Sequence, residues 1–190
     1  MIKDCEGKII RQMIKICAEK GLDNLSTLQL AKRCNLSEAT IFKHFGTKDN
    51  LYLQAFLSID KEISKTISEC AVTETDLRGS VYNMWRTYFG FLLANRDKTR
   101  YYREFRGSHR YRGNTHFEQD KYYVSFLQTI APIAGQALAA FDYGTLWTFI
   151  IENSLMFAEN IANGKIKGDE DNIKIIFSLV FGTVFSALGM

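Results

Sequence analysis

The chain has 190 residues, 46% hydrophobic, 13% aromatic and 24% charged, with a formal net charge of +3. That balance excludes a disordered chain and a uniformly polybasic binder, so any contact with nucleic acid has to come from a local patch. A single proline and the lack of Gly-rich or Pro-rich linkers favour long helices and an all-α fold.

The first predicted helix, about Lys3 to Lys20, places Ile10, Met13, Ile14 and Cys17 on one stripe, and Gly21 follows where a helix terminates in left-handed conformation. A second begins at the capping box Ser26-x-x-Gln29, with Leu30 and Ala31 facing inward. Ser37 caps a third short helix, and Thr47 a fourth that starts near Lys48 and runs to about Cys70. Longer helices follow at about Asp76–Ala94, Lys98–Arg106, His116–Phe141, Tyr143–Asn163 and Asp169–Leu188. Asn163-Gly164 and Gly168 punctuate the last pair, and acids open the final helix, where the dipole favours them. The expected organisation is an N-terminal helix-turn-helix domain of residues 1–56 and a helical body of residues 57–190. Their boundary falls inside the fourth helix, with no flexible linker.

Two short helices joined by a tight "CNLS" turn suit a helix-turn-helix. Its second helix has to anchor one face on the first two and show the other to a major groove. Leu36, Ile41 and Phe45 are the anchors, which leaves Glu38, Ala39, Thr40, Phe42, Lys43 and His44 outward. Lys43 suits guanine O6/N7 or a phosphate, and Ala39 a thymine methyl. Glu38 either accepts from cytosine N4 or complements the helix dipole, and Phe42 is either interface or core. Thr40, His44 and Lys48 suit phosphate oxygens, as do the N-terminus of the helix that Thr47 caps and, at the start of the second helix, Ser26 and Thr27; Ser37 is also a DNA-binding candidate.

The stretch "AEKGLDNLSTLQLAKRCNLSEATIFKHFGTKDNLYLQAF" resembles the TetR family of bacterial transcriptional regulators. Lys20-Gly21, Ser26, Leu30-Ala31, Leu36-Ser37, Thr40, Phe42, His44-Phe45 and Thr47-Lys48 match its pattern in order and spacing over about Ile9 to Phe56. The resemblance implies that Thr40, Phe42, Lys43, His44 and Lys48 line a DNA face. Phe42 stands where a tyrosine is usual and Lys43 where many members carry an aromatic, which leaves base preference open. It further implies a cytoplasmic homodimer that binds a palindromic operator in double-stranded DNA, most simply as a repressor answering to a small-molecule inducer. An activator or a nucleoid-associated protein without an inducer would share the same head.

For the body the resemblance gives architecture only, with the last two long helices pairing across a dimer. "TLWTFIIENSLMFAENIA" and "NIKIIFSLVFGTVFSALG" are apolar nearly all round, which demands burial in a core or against a second copy. Aromatic and basic candidates for a ligand pocket are Trp85, Tyr88, Phe89, Arg103, Arg106, Tyr122, Phe126, Trp147 and Ile151. Residues 96–112 interleave arginines with tyrosines and read first as a solvated face, then as a pocket mouth and last as a second DNA contact.

No nucleophile–base pair or phosphate-cradling glycine loop suggests an enzyme. No cofactor is expected. The four cysteines, Cys5, Cys17, Cys34 and Cys70, lack metal-ligand spacing and read as reduced, buried thiols. His109 and His116 lack a third ligand. The apolar run from Ile175 to Gly189 is too short to span a membrane, and the N-terminal residues lack a secretory apolar stretch. Binding to a membrane surface through the basic aromatic segment is the remaining rival.

Overall fold

The computed structural model describes residues 2–70, 76–112 and 143–187. These form eight α-helices and one short 3-10 turn, with no strand among the described residues. In chain order they are α1 (Ile2–Lys20), the 3-10 turn (Leu22–Asn24), α2 (Thr27–Cys34), α3 (Glu38–Phe45), α4 (Lys48–Ser68), α5 (Leu77–Ala94), α6 (Arg96–Arg106), α7 (Tyr143–Ala162) and α8 (Glu170–Ala187). The helix expected over His116–Phe141 lies outside the described residues.

Local chemistry sets the ends of the short helices. Gly21 ends α1 at φ 88°, its N–H donating to the Cys17 carbonyl at 2.7 Å. The Ser26 hydroxyl accepts from the Gln29 N–H at 3.3 Å, Ser37 from Thr40 at 3.1 Å, and Thr47 from Asn50 at 3.1 Å. Between α2 and α3 the chain reverses through Asn35, whose φ of 55° is left-handed. There the Leu36 N–H returns to the Ala31 carbonyl at 2.9 Å, closing off the end of α2.

Two compact units divide the chain. The first comprises the residues up to Glu62 together with α6 and the residues that follow it; the second comprises Ile63–Ala94 with α7 and α8. α4 runs unbroken, contributing residues up to Glu62 to the first and residues from Ile63 to the second.

In the first unit α1 packs against both α2 and α6. This double contact corrects the expected stripe on α1. Ile9, Met13, Ile16 and Cys17 are fully buried, while Ile10 is only half-buried, because a helix gripped from two sides needs a wider apolar arc. The centre is aromatic. Phe56 stacks on Tyr102 and Phe105, each ring centroid 4.7 Å away, and meets Tyr111 edge-on at 5.7 Å. The polar tips are also placed: the Tyr102 hydroxyl donates to buried Asp60 at 2.7 Å, Tyr101 to the Tyr52 carbonyl at 2.7 Å, and Tyr52 to the Leu22 carbonyl at 2.8 Å.

In the second unit, α5 packs on α7 and α7 on α8. Trp85 is the hub, its indole N–H donating to Ser154 at 2.9 Å while its ring stacks on Phe89 at 4.7 Å and leans on Phe177 at 5.4 Å. Tyr82 and Arg86 of α5 both donate to Glu170, at 2.8 and 3.1 Å, which fastens the start of α8 and holds its carboxyl below the usual range.

All four cysteines are free; Cys17 and Cys34 are buried as expected, whereas Cys5 and Cys70 are only half-buried. Burial pushes the Cys17 thiol up to about 12. The thiolate is the nucleophile, so iodoacetamide near pH 8 is expected to leave Cys17 unmodified in the folded chain and to reach it only in denaturant. Peptide mass spectrometry checks this, and rapid native labelling at Cys17 would mean that α1 opens locally. No helix among the described residues is long and apolar enough to cross a membrane.

Candidate nucleic-acid interface

The predicted reading helix is α3. Its inner face carries Ile41 and Phe45, 0% and 5% exposed, set against buried Leu30, Ala31 and Cys34 of α2; Leu36 in the turn is half-buried. Its outer face shows Ala39, Lys43 and Phe42, the phenylalanine 38% exposed. Thr40 is half-buried, its hydroxyl 2.9 Å from that of Ser37. Lys43 makes no hydrogen bond or ion pair to another described residue, so its ammonium is available.

Four more of the predicted contact residues, Thr27, Glu38, His44 and Lys48, also have partners inside the protein. Thr27 donates to Glu38, tying the first turn of α2 to the first turn of α3. That bond occupies one carboxylate oxygen of Glu38 and favours a positioning role over base reading. His44 Nδ1 lies 3.1 Å from Glu6 of α1, which leaves Nε2 as the nitrogen for any phosphate. Lys48 Nζ donates to the Leu25 carbonyl at 2.8 Å and sits 5.9 Å from the Tyr52 ring centroid, so it fastens α4 to the α1–α2 connection. An ammonium has three donors, and two remain for phosphate. Ser26, Ser37 and Thr47 present three capped helix N-termini in one unit, each with the positive end of its dipole at the surface.

Residues 96–112 take a role that composition did not single out. Tyr101, Tyr102, Phe105 and even Arg106 are buried in the first unit, so the aromatics are core rather than a stacking surface. Arg106 lies over the rings of Tyr102 and Tyr111, at 5.9 and 4.9 Å. Arg96, Arg100 and Arg103 form the solvated side.

The ligand candidates separate. Trp85, Tyr88, Trp147 and Ile151 line an apolar cavity in the second unit together with Ile67, Val81 and Phe181. Its volume is about 20 Å³, room for a water molecule or a methyl group. Phe89 sits behind Trp85 rather than on the wall, and Arg103 and Arg106 belong to the first unit, where α6 docks on α1. Tyr122 and Phe126 lie outside the described residues. The sequence reading missed Glu104 and Arg110, which bond to the 3-10 turn; their partners are more than 80 residues away, and no local pattern signals them.

Residues 9–55 match the family model of bacterial regulatory proteins, tetR family. Among curated proteins the chain is similar to the nucleoid occlusion factor SlmA of Mannheimia succiniciproducens, 28% identical over 83 residues that make up 44% of this chain and 38% of that protein. SlmA of Haemophilus influenzae is 22% identical over 100 residues, 52% of this chain and 46% of that protein. The matches thus span less than half the length of these relatives. Among solved structures, a TetR family transcription regulator from Marinobacter aquaeolei superimposes with a TM-score of 0.82 at 18% identity, covering 95% of each chain, which shows the fold. With the capped helix-turn-helix and its ordered motif residues in place, residues 9–55 form a DNA-binding domain of the tetR family of bacterial regulatory proteins, and the chain as a whole has the all-helical fold of TetR family transcription regulators.

Proposed function

We propose that this protein is a DNA-binding transcriptional repressor that acts as a homodimer on a palindromic operator and is released by a small apolar inducer. The observation that carries the DNA reading is α3: Ile41 and Phe45 hold one face, while Ala39, Phe42 and Lys43 stand exposed on the other. In this reading α3 enters the major groove. Lys43 meets a guanine edge or a phosphate, Ala39 and Phe42 offer apolar contact to thymine methyls, and Thr40, His44, Ser26, Thr27 and Lys48 hold backbone. Two heads joined by a dyad would address half-sites about 34–36 Å apart or multiples of that distance.

The homodimer reading is supported by Phe149 and Met156 on α7 and Ile175 and Leu179 on α8, which are 38–60% exposed. The inducer reading is supported by the cavity beside Trp85 and Trp147. At about 20 Å³ it has to widen for any metabolite, so binding and rearrangement would be one event. α4 is the natural relay, since one helix supplies residues to both units.

The test is a gel shift of purified protein on the DNA flanking its own coding region, with an inverted repeat as the expected target. Lys43→Ala is expected to weaken binding about tenfold and to reduce the salt slope by about one, with an unchanged melting curve. Equal affinity of variant and wild type across the salt series would remove Lys43 from the interface.

The likeness to nucleoid occlusion factors favours a second reading, a chromosome-binding protein with many sites and no inducer. Genome-wide binding profiles separate the two: one or a few promoter-proximal peaks fit the repressor, and many dispersed peaks fit the alternative.

A further inference from the structure

Arg110 stands four residues beyond the end of α6, yet it bonds to the reading head. Its Nη1 donates to Asp23 at 2.6 Å, its Nε lies 3.5 Å from Asp49, and its guanidinium sits 4.7 Å from the Tyr52 ring centroid. The arginine side chain is 17% exposed, whereas the two aspartates are 76% and 83% exposed. The cation therefore lies beneath two surface carboxylates. Tyr52, its stacking partner, is itself fixed by its hydroxyl on the Leu22 carbonyl.

The positions of the aspartates are informative. Asp49 is the second residue of α4, beside Lys48 and the Thr47 cap. Asp23 lies in the 3-10 turn three residues before the Ser26 cap of α2. A carboxylate in the first turn of a helix is favourable in the free protein, because it meets the positive end of the dipole. The same carboxylate repels a phosphate arriving at that end.

We infer that Arg110 is a positioning residue for DNA binding, a built-in counterion that neutralises Asp23 and Asp49 from below so that the N-termini of α2 and α4 can accept backbone phosphates. This rests on the DNA-binding reading above. Arg110 itself touches no phosphate. The Tyr52 face holds the guanidinium plane so that one fork serves both acids. Losing the cation would leave two uncompensated negative charges within about one Debye length, roughly 10 Å, of the bound backbone.

The test uses the full chain and a fluorescent, mixed-sequence duplex of about 30 base pairs, read by anisotropy from about 50 mM salt upward. Arg110→Gln is expected to bind about fivefold more weakly, by a factor that holds across the salt series, because a largely buried charge is little screened, so the salt slope is unchanged. Adding Asp23→Asn and Asp49→Asn to that variant is expected to restore wild-type affinity. Arg110→Lys, which keeps the charge and loses the planar stack, is expected to stay within about twofold of wild type. Melting curves by circular dichroism establish that each variant is folded at the assay temperature. The inference is overturned if Arg110→Gln binds as well as wild type, or if neutralising the aspartates leaves it weak. A salt slope lowered by about one in Arg110→Gln would overturn it too, by making the arginine a direct phosphate contact. Wild-type protein that ignores the duplex defeats the DNA-binding reading itself, an outcome distinct from a wild type that binds and a variant that equals it.

Discussion

Phe56→Ala is expected to destabilise the first unit by about 3–5 kcal/mol, which is most of the stability of a marginal domain. Phe56 is 0% exposed and touches three other rings, Tyr102, Phe105 and Tyr111, so truncation removes the surface against which α6 is stacked. Collapse around the hole is hard. Tyr102 is held by its hydroxyl on Asp60 and Tyr101 by its hydroxyl on the Tyr52 carbonyl, so the rings cannot slide inward without breaking buried hydrogen bonds. Urea denaturation separates the contributions, because both tryptophans, Trp85 and Trp147, belong to the second unit. Far-UV circular dichroism is expected to show a transition shifted to much lower urea, and tryptophan fluorescence reports how far the second unit follows. An unchanged midpoint by both probes would mean that the cluster refills and that the stacking is incidental.

Ile175→Glu combined with Leu179→Glu is expected to turn a dimer into a monomer. The two residues lie one turn apart on α8 and are 56% and 60% exposed, and Phe149 and Met156 lie two turns apart on α7 at 44% and 38%. An isologous interface counts each substitution twice, so four carboxylates would enter one apolar contact. Unpaired buried charges of that kind cost enough to raise the dissociation constant by at least a thousandfold, about 4 kcal/mol. Sedimentation of wild type and variant checks it. A wild type that sediments as a monomer removes the homodimer, and a variant that remains a dimer puts the interface elsewhere. Loss of operator binding together with loss of the dimer would connect oligomerisation to function.

The parts of this fold that were legible in the sequence are those governed by neighbours along the chain. Ser26, Ser37 and Thr47 each cap a helix because the bond reaches only three residues ahead, and Gly21 and the CNLS turn follow the same short-range rules. Ile41 and Phe45 were readable as anchors from spacing alone. What could not be read was the identity of distant partners. Periodicity assigns Glu38 and Lys48 to an outer face, yet Thr27 and the Leu25 carbonyl draw both partly inward. Arginine-rich composition left residues 96–112 open between a solvated face, a pocket mouth and a second DNA contact, and none of these readings placed the segment's tyrosines in a core. The tyrosines there are inward because Phe56, Asp60 and Tyr52 await them, and those residues lie 42 to 49 positions earlier. For the same reason Arg103 and Arg106 were grouped with Trp85 and Trp147 although they belong to different units.

The central packing of the first unit is assembled from two stretches separated by more than thirty residues of other structure. On the ribosome this imposes an order of events. The segment that ends with Glu62 emerges with Tyr52 and Phe56 lacking their aromatic lid, and the lid is complete only once Tyr111 has been synthesised. At about 5–20 residues per second that is a wait of roughly 2–10 seconds, during which a greasy, half-finished head is open to chaperones or to a neighbouring nascent chain. A codon pause between Glu62 and Tyr111 would lengthen that exposure, whereas a pause after Tyr111 has left the ribosome would spare the head.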